Sequence, residues 1–297
     1  MSNTLKEFSS DLSSAVEKAG ASTILVDARK RYPASGIAYA EDLILTGDHV
    51  VTKEDIKVGL PDGRTLNATV AGRDPGSDLA LLKLSEKALS PAKTSDDVKV
   101  GQLVLALGRP NSAGMQASWG IVTAISGPTR TFRGGLLDEY LQTETTPYPG
   151  FSGGPLVNSE GEVLGLNTSG LTRGSSLTIP VKVAWRVAEA LARHGTIKRG
   201  YLGVRTQPVE IPEAARKALQ REQGQGLLVL WLEEGGPAEK GGLLVGDILV
   251  GISGQPVGDP DDLFAALNSE TVGQAVAVEV LRGGRPETVQ VTVAERK

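Results

Sequence analysis

The chain has 297 residues, of which 40% are hydrophobic and 22% charged, and its formal net charge is −4. This length allows two domains, and the composition is typical of a globular protein. Lysine and arginine are scattered along the chain, which argues against nucleic acid as a partner. With no cysteine and only two histidines, the sequence excludes disulfides and thiolate nucleophiles, and we expect no metal or other cofactor.

The N-terminus carries no basic segment followed by an apolar one, and no stretch approaches the length of a membrane span. We therefore expect no transmembrane segment. The compartment stays open at this point. The protein is cytoplasmic if the chain is complete, and extracytoplasmic (periplasmic) if an export segment has been removed.

The chain begins with apolar residues that recur at helical spacing. Residues 4–19 are predicted to form a helix with a capping box made by Thr4 and Glu7, and Gly20 is the expected stop. Short apolar runs separated by turn sequences follow, and they predict strands at 23–26, 43–46, 56–60, 79–84, 103–107, 121–125, 156–157 and 163–167. Because no helical spacing separates these strands, they indicate an antiparallel barrel or sandwich.

A second helix is predicted over 181–194, where an apolar face repeats at helical spacing and Gly195 ends it. Beyond it lies a second unit with predicted strands at 227–232, 248–252 and 275–281 and a helix at 261–267. The predicted organisation is an N-terminal helical segment (1–20), a first domain (21–195), a linker (196–200) and a second domain (201–297).

A glycine-flanked serine stands in the run Gly150-Phe151-Ser152-Gly153-Gly154. A serine hydroxyl becomes a nucleophile only with a base to take its proton and a carboxylate to orient that base. The α/β-hydrolase order of serine, acid and histidine would need His194, at the end of a predicted helix. No strand–turn–helix pattern surrounds Ser152 either, which argues against that fold.

The remaining histidine gives the order His49, Asp78, Ser152, with separations of 78 − 49 = 29 and 152 − 78 = 74 residues. This is the order of chymotrypsin-like proteases. Each residue alone has an ordinary structural interpretation, and the specificity comes from their conjunction. We predict a serine protease in which Ser152 is the nucleophile, His49 the general base and Asp78 the residue that orients His49.

Three segments resemble the catalytic segments of HtrA (Deg) proteases: the histidine segment at 45–51, the aspartate segment at 77–83, and the serine segment at 141–144 and 150–158. The resemblance extends over nearly the whole chain. It implies a mainly β fold in which a chymotrypsin-like double β-barrel protease domain is followed by an α+β PDZ domain. It also implies that the backbone amides of Gly150 and Ser152 form the oxyanion hole.

The function implied by this resemblance is that of an ATP-independent serine endopeptidase of protein quality control and stress response. Such a protease cleaves unfolded or damaged proteins. The resemblance also implies a homotrimer or higher multiple, with the segment around Phe8 contributing to the contacts. The rival interpretation is a chaperone or binding protein that keeps the protease fold with a resting, inactive site.

The sequence indicates part of the substrate preference. The position six residues before the serine, which forms the pocket floor in this fold, is Thr146, where a tryptic enzyme would have Asp. We therefore expect small or aliphatic residues at the cleavage position (P1). The other predicted pocket residues are Pro147, Asn167, Thr168 and Ser169.

Three positions depart from relatives. Phe151 replaces the Asp that digestive proteases carry before the serine, which argues against activation by proteolytic clipping. Asp48 stands beside His49, where the family usually has a small or amide residue. We interpret Asp48 as a solvated neighbour, against the alternative that it raises the pKa of His49. Gly127 occupies the place of an arginine that relays regulatory signals in many bacterial relatives, so we do not expect regulation of that kind.

Residues 199–204 resemble the carboxylate-binding loop of HtrA-type PDZ domains. The free amides of such a loop hold a peptide C-terminus, and the peptide adds as a strand to the sheet edge. The predicted peptide-binding residues are Tyr201, Leu202, Gly203 and Val204 of the loop, with Leu263 and Leu267 of the following helix. Unfolded proteins, peptides and their C-termini are therefore the expected partners.

Overall fold

The structure is a computed structural model that describes residues 3–131, 135–171, 177–196, 200–219, 221–267 and 271–295. The chain divides into two compact units, Met1–Ile197 and Lys198–Lys297. Residues 197–199, the centre of the predicted linker, lie outside the described residues. Within the described ranges, no helix has both the length and the apolar character needed to cross a membrane.

The first unit begins with helix α1, Thr4–Gly20. The predicted capping box is wrong, because Thr4 is already helical and the N-cap is Asn3, whose side chain makes no capping hydrogen bond. The helix also includes Gly20 instead of stopping before it. Ala15 and Ala19 pack into the core of the unit, and their small side chains let the helix approach the strands closely.

Six antiparallel strands close a first barrel in the order β1-β2-β3-β6-β5-β4. They are β1 (Thr23–Asp27), β2 (Ala34–Ala40), β3 (Leu43–Gly47), β4 (Ile56–Gly59), β5 (Thr65–Asp74) and β6 (Leu79–Leu84). Its interior is aliphatic, with Ile24, Ile44, Val58 and Leu82 fully buried. A short 3-10 turn, Asp48–Val50, follows β3.

A second barrel closes in the order β11-β14-β13-β12-β7-β8. In chain order the strands of this region are β7 (Leu103–Asn111), β8 (Gly114–Ser126), the small hairpin β9 (Thr129–Arg130) and β10 (Leu136–Leu137), then β11 (Tyr140–Thr143), β12 (Pro155–Val157), β13 (Val163–Thr168) and β14 (Leu177–Pro180). Helix α2, Val181–His194, ends at Gly195 in a left-handed cap with φ 73°, as predicted.

The largest apolar cluster joins the two barrels. It combines Leu45 and Leu81 of the first barrel with Leu107 and Leu166 of the second, and the apolar face of α2 completes it. Burial of this much aliphatic surface is the main force that fixes the barrels against each other. Loops from both barrels therefore meet along one seam. The mainly β, double-barrel architecture predicted from the sequence is confirmed.

The second unit is an antiparallel sheet in the order β16-β17-β18-β20-β21, with β19 pairing to β18. Its elements are β15 (Gly200–Tyr201), β16 (Val204–Glu210), α3 (Glu213–Leu219), β17 (Gln225–Leu232), α4 (Pro237–Lys240), β18 (Ile248–Ile252), β19 (Gln255–Pro256), α5 (Pro260–Ala266), β20 (Ala275–Arg282), β21 (Arg285–Thr292) and β22 (Ala294–Glu295). Strand β16 lies at one edge of this sheet.

Candidate active site

His49 and Asp78 meet because they flank neighbouring strands. His49 lies in the 3-10 turn directly after β3, and Asp78 directly precedes β6, which pairs with β3. His49 Nδ1 lies 2.7 Å from Asp78 Oδ2, and the His49 backbone amide donates to Asp78 Oδ1 across 2.8 Å. A carboxylate bound in this way keeps the imidazole proton on Nδ1, which leaves Nε2 as an acceptor.

The Asp78 carboxylate is fully buried and is held from the second barrel as well. Thr168 Oγ1 donates a short hydrogen bond to Asp78 Oδ2 and accepts one from the Gly170 amide at 2.9 Å. The backbone of Asp78 is left-handed, with φ 55°, a conformation that aspartate tolerates better than most residues. Thr168 was predicted only as a pocket wall, and its contact with Asp78 adds an orienting role.

The backbone at Gly170 leaves no space beside this pair. A Cβ atom there would lie 2.3 Å from Asp78 Oδ2 and 2.4 Å from His49 Nδ1, distances at which no side chain fits. Glycine therefore lets the strand end pass directly against the imidazole and the carboxylate. Gly170 was not among the predicted site residues.

Ser152 faces the same segment. Its Oγ forms a hydrogen bond with Ser169 Oγ at 3.1 Å, and Ser169 stands between Thr168 and Gly170, the residues that contact Asp78 and His49. This contact places Ser152 beside the segment that binds Asp78, and among the described residues no hydrogen bond joins Ser152 to His49. In triads the hydrogen bond from serine to histidine commonly tightens only when substrate binds.

The nucleophile loop is shaped by two glycines with positive φ, Gly150 at 93° and Gly153 at 84°. Ser35 of the first barrel holds this loop from behind: its Oγ donates to the Gly150 carbonyl at 2.7 Å, and its amide donates to the Ser152 carbonyl at 3.1 Å. Ser35 is completely buried. No local sequence signal pointed to it, since the bond joins residues 115 apart in the chain.

The amides of Gly150 and Ser152 donate to no residue within the described ranges. The other amides of the loop are used: Phe151 donates to the Tyr148 carbonyl at 3.1 Å and Gly153 to the Asn167 carbonyl at 2.8 Å. An oxyanion hole requires two free donors that converge beside the nucleophilic serine, so these two amides are available for the predicted role.

Phe151 is an apolar anchor for the loop. It is buried in the core of the second barrel, and its ring meets Tyr148 edge-on at 5.5 Å between centroids. A Cβ atom at Gly108 would lie 2.6 Å from Phe151 Cδ1, so the glycine makes room for the ring. Apolar packing therefore holds the loop at the position where digestive relatives use an aspartate.

A cleft of about 420 Å³ opens beside Ser152. Of the predicted pocket residues, Pro147, Asn167, Thr168 and Ser169 line it, together with Thr143 and Thr145. Thr146 does not line the cleft, and its side chain is exposed. Its backbone amide donates to Ser118 Oγ at 2.7 Å. This corrects the expectation that Thr146 forms the floor.

The cleft walls are uncharged except at Arg29. Thr143 and Thr145 bond to each other through their hydroxyls at 2.8 Å, and Thr178 donates to Asn167 Oδ1 at 2.7 Å. The Asn167 Nδ2 group is buried and has no partner among the described residues. The described lining of the cleft therefore presents no carboxylate to a substrate side chain.

The interpretation of Asp48 as a solvated neighbour is wrong. Its side chain is only 3% exposed, and Arg73 Nε donates to Asp48 Oδ1 across 2.6 Å. The Arg73 guanidinium also donates to the Asp48 carbonyl at 3.2 Å. The second carboxylate next to His49 is thus buried against a cation from β5.

At Gly127, a Cβ atom would lie 2.1 Å from the Asp138 carbonyl oxygen. No side chain fits there in this backbone, so an arginine of the kind found in relatives would need a different loop.

His194 is the histidine that the α/β-hydrolase order would need as its base. It is an exposed residue at the end of α2. Among the described residues, no cluster of three or more His, Asp or Glu side chains is arranged to hold a metal ion.

In the second unit, Leu202, Leu263 and Leu267 are buried in one apolar cluster, and Val204 packs against it. Gly203 has φ 76°, and Tyr201 lies in β15 just before it. Strand β16 starts at Val204, beside this cluster, and leaves one edge without a partner strand in the described part of the chain. Arg199 of the predicted loop lies outside the described residues.

The fold and these sites indicate the class of protein to which the chain belongs, and comparison with known proteins supports the same class. Residues 34–166 match the family of trypsin-like peptidase domains, and residues 200–293 match the PDZ domain family. The chain resembles the solved serine endoprotease from Yersinia pestis with a TM-score of 0.79 and 29% identity over 96% of this chain and 98% of that one. For the HtrA-type protease AlgW with tripeptide, the TM-score is 0.78 and the identity 30%, over 96% and 97% of the two chains.

Curated relatives of similar sequence support the same class of protein. A probable periplasmic serine endoprotease DegP-like of Halomonas elongata is 38% identical over 276 residues, which are 90% of this chain and 57% of the relative. A protein of the same description from Pseudomonas fluorescens is 38% identical over 86% of this chain and 55% of its own length. The chain thus spans little more than half the length of these relatives. It belongs to the HtrA (Deg) family of trypsin-like serine proteases with a PDZ domain.

Proposed function

We propose that this chain is an ATP-independent serine endopeptidase that cleaves unfolded or damaged proteins as part of protein quality control. The observation that carries the proposal is the His49–Asp78 pair, in which both carboxylate oxygens are engaged by His49. This arrangement fixes the ring so that Nε2 can accept a proton from a serine. Family membership and the glycine-shaped loop around Ser152 support the same assignment.

In the proposed mechanism, Ser152 Oγ attacks the scissile carbonyl carbon while His49 Nε2 takes the hydroxyl proton. The amides of Gly150 and Ser152 stabilise the negative oxygen of the tetrahedral intermediate, each contributing a factor of about 10²–10³ in rate. His49 then protonates the leaving amine, and the C–N bond breaks. Water, deprotonated by His49, attacks the acyl ester, and the proton returns to Ser152 as the acid leaves.

We infer a P1 preference for small or aliphatic residues. Support comes from the lining of the cleft, which includes Ala106, Leu177 and small hydroxyl side chains and holds no carboxylate within the described ranges. A P1 lysine or arginine would lose its hydration there without gaining a counter-charge. Profiling with a peptide library tests this inference, and preferential cleavage after Lys or Arg would overturn it.

The PDZ domain is proposed to bind peptide C-termini. The apolar cluster at Leu202, Leu263 and Leu267 offers a place for the last side chain, and the free edge of β16 can pair with the peptide backbone. Capture of exposed C-termini would bring unfolded chains to the protease domain or regulate it.

A homotrimer is part of the proposal. Phe8 of α1 and Trp119 of β8 are 42% and 63% exposed, and their rings meet edge-on at 6.5 Å between centroids. Leu5 and Ile121 add exposed apolar surface on the same two elements. Exposed apolar patches of this kind commonly mark contacts between subunits.

The decisive experiment is labelling with a serine-directed fluorophosphonate, together with digestion of an unfolded model protein with and without ATP. We expect labelling and ATP-independent digestion by the natural chain and neither in Ser152→Ala. A Ser152→Ala variant that still binds C-terminal peptides would show that only chemistry was removed. Absence of labelling in the presence of every substrate tried would instead favour the rival, a protease-fold chaperone or binding protein.

A further inference from the structure

Arg29 lies on the connection between β1 and β2 and lines the same cleft as Ser152. Lys30 and Arg31 follow it in the chain, and neither of them lines the cleft. Arg29 is half-buried, while Lys30 and Arg31 are exposed. No other charged side chain lines this cleft among the described residues.

The charge of Arg29 is not compensated within the described part of the chain. Its Nε donates to the carbonyl of Tyr32, a neutral acceptor. The nearest carboxylate in sequence, Asp27, is bound to Lys53 at 2.8 Å. Burial lowers the pKa of Arg29, but a guanidinium remains protonated at neutral pH. A half-buried cation without a counter-ion gains free energy when a carboxylate is brought to it.

The proposed chemistry indicates on which side of the scissile bond Arg29 lies. The acyl part of a substrate would lie against the second-barrel walls, which include Thr143, Asn167 and Ser169. The leaving amine must face His49, since His49 protonates it, and His49 belongs to the first barrel. The β1–β2 connection comes from that same barrel and runs into Ser35, which holds the nucleophile loop.

We infer that Arg29 binds an acidic side chain of the substrate on the leaving-group side of the scissile bond. Cleavage is then favoured where Asp or Glu follows the cleaved bond. Arg29 is a specificity-determining residue in this scheme and takes no part in proton transfer. The inference rests on the proposed protease function.

The test uses a peptide that the full chain is found to cleave, made with an amidated C-terminus so that no terminal carboxylate is present. Matched forms carry Glu or Gln at the second residue after the cleaved bond. A further pair carries Glu or Gln at the second residue before it. The ratio of kcat/KM for Glu over Gln is measured in the natural chain, in Arg29→Gln and in Lys30→Gln. Lys30→Gln makes the same charge change at a residue that does not line the cleft.

We expect a Glu/Gln ratio of about fivefold after the bond in the natural chain and in Lys30→Gln, the upper range for an ion pair that solvent reaches. The ratio falls to about one in Arg29→Gln. In the natural chain it also shrinks as salt is raised, because salt screens the pair. This salt series needs no variant to fold.

A ratio of about one in the natural chain overturns the inference, as does an unchanged ratio in Arg29→Gln or a Glu preference confined to the pair before the bond. In each of these cases the Gln peptide is still cleaved, and the proposed protease function stands. If neither peptide is cleaved and Ser152 is not labelled, the protease function fails and the inference fails with it.

Discussion

Arg73 Nε donates to the buried Asp48 Oδ1 across 2.6 Å, so the residue next to His49 is tied to strand β5 by an ion pair. A buried carboxylate that loses its cation is strongly destabilising. Arg73 itself is 42% exposed, so water can replace part of its effect. The pair therefore stabilises the turn that carries His49 without contributing to the chemistry directly.

For Arg73→Met we expect a loss of roughly 2 kcal/mol in the free energy of unfolding, measured by urea denaturation followed by circular dichroism. The matched control is Arg64→Met, which removes an exposed arginine paired with Asp62 and Glu86. Its expected cost is smaller, because water screens an ion pair between exposed side chains. Equal losses in the two variants would contradict a special role for the Asp48–Arg73 pair.

Gly170→Ala is expected to lower kcat/KM by about 100-fold or more, because its methyl group would force His49 and Asp78 apart and a displacement of about 1 Å costs that much. Gly224→Ala is the control, since a Cβ atom there meets nothing within 4 Å. Neither glycine has a positive φ, so backbone strain is not a factor. Active-site titration with labelled inhibitor separates misalignment from unfolding, and normal activity in Gly170→Ala would refute the steric argument.

Ser35→Ala removes the hydroxyl that binds the Gly150 carbonyl and accepts the Arg109 amide at 2.8 Å. We expect kcat to fall by about tenfold or more with KM little changed, because oxyanion stabilisation acts on the transition state. Ser22→Ala is a control of similar burial, since the Ser22 hydroxyl bonds only locally, to the Ala19 carbonyl at 3.1 Å. Steady-state kinetics on one peptide compare the two variants. A rise in KM alone would contradict the assignment.

Gly203→Ala tests the carboxylate-binding loop. Gly203 has a φ of 76°, and a Cβ atom at this position would lie 3.1 Å from the Glu233 side chain. Alanine is therefore expected to destabilise this loop conformation by about 1–2 kcal/mol. We expect C-terminal peptide affinity to fall by about tenfold, measured by isothermal titration calorimetry. Gly284→Ala has a similar φ, 79°, in open space at the β20–β21 turn, and it should bind normally. Equal affinities would remove the loop from the binding site.

Trp119→Glu places a charge in the exposed aromatic cluster with Phe8. If this surface joins subunits, burying the carboxylate costs several kcal/mol over three copies of the contact. Sedimentation velocity should then show a monomer for Trp119→Glu and a trimer for the natural chain. Val245→Glu, at a residue 62% exposed in the other unit, should leave the assembly intact. A trimer in both variants would place the contact elsewhere.

The sequence by itself determined the features that are encoded within short segments of the chain. Aliphatic runs bounded by turns predicted most strands of both barrels, and helix α2 was predicted with its observed bounds because Gly195 ends a regular apolar stripe. Chain order and the scarcity of histidine selected His49, Asp78 and Ser152. Strands β2, β5, β11 and β14 of the barrels and strands β16 and β21 of the second unit were not predicted, nor were the two-residue strands β9, β10, β15, β19 and β22. Strand β2 consists mainly of small residues (ASGIAYA), whose burial comes from packing, and β5 alternates irregularly between exposed and buried positions.

Only the tertiary structure decided how the site is supported. Ser35 reaches Gly150 from 115 residues away, and Thr168 reaches Asp78 from 90 residues away. Asp48, which was expected to be solvated, is buried in an ion pair with Arg73. Thr146, the expected pocket floor, is exposed and does not line the cleft. Contacts between distant segments depend on how the two barrels pack against each other. No local periodicity encodes that geometry, because it arises from burial of apolar surface contributed by the whole first unit.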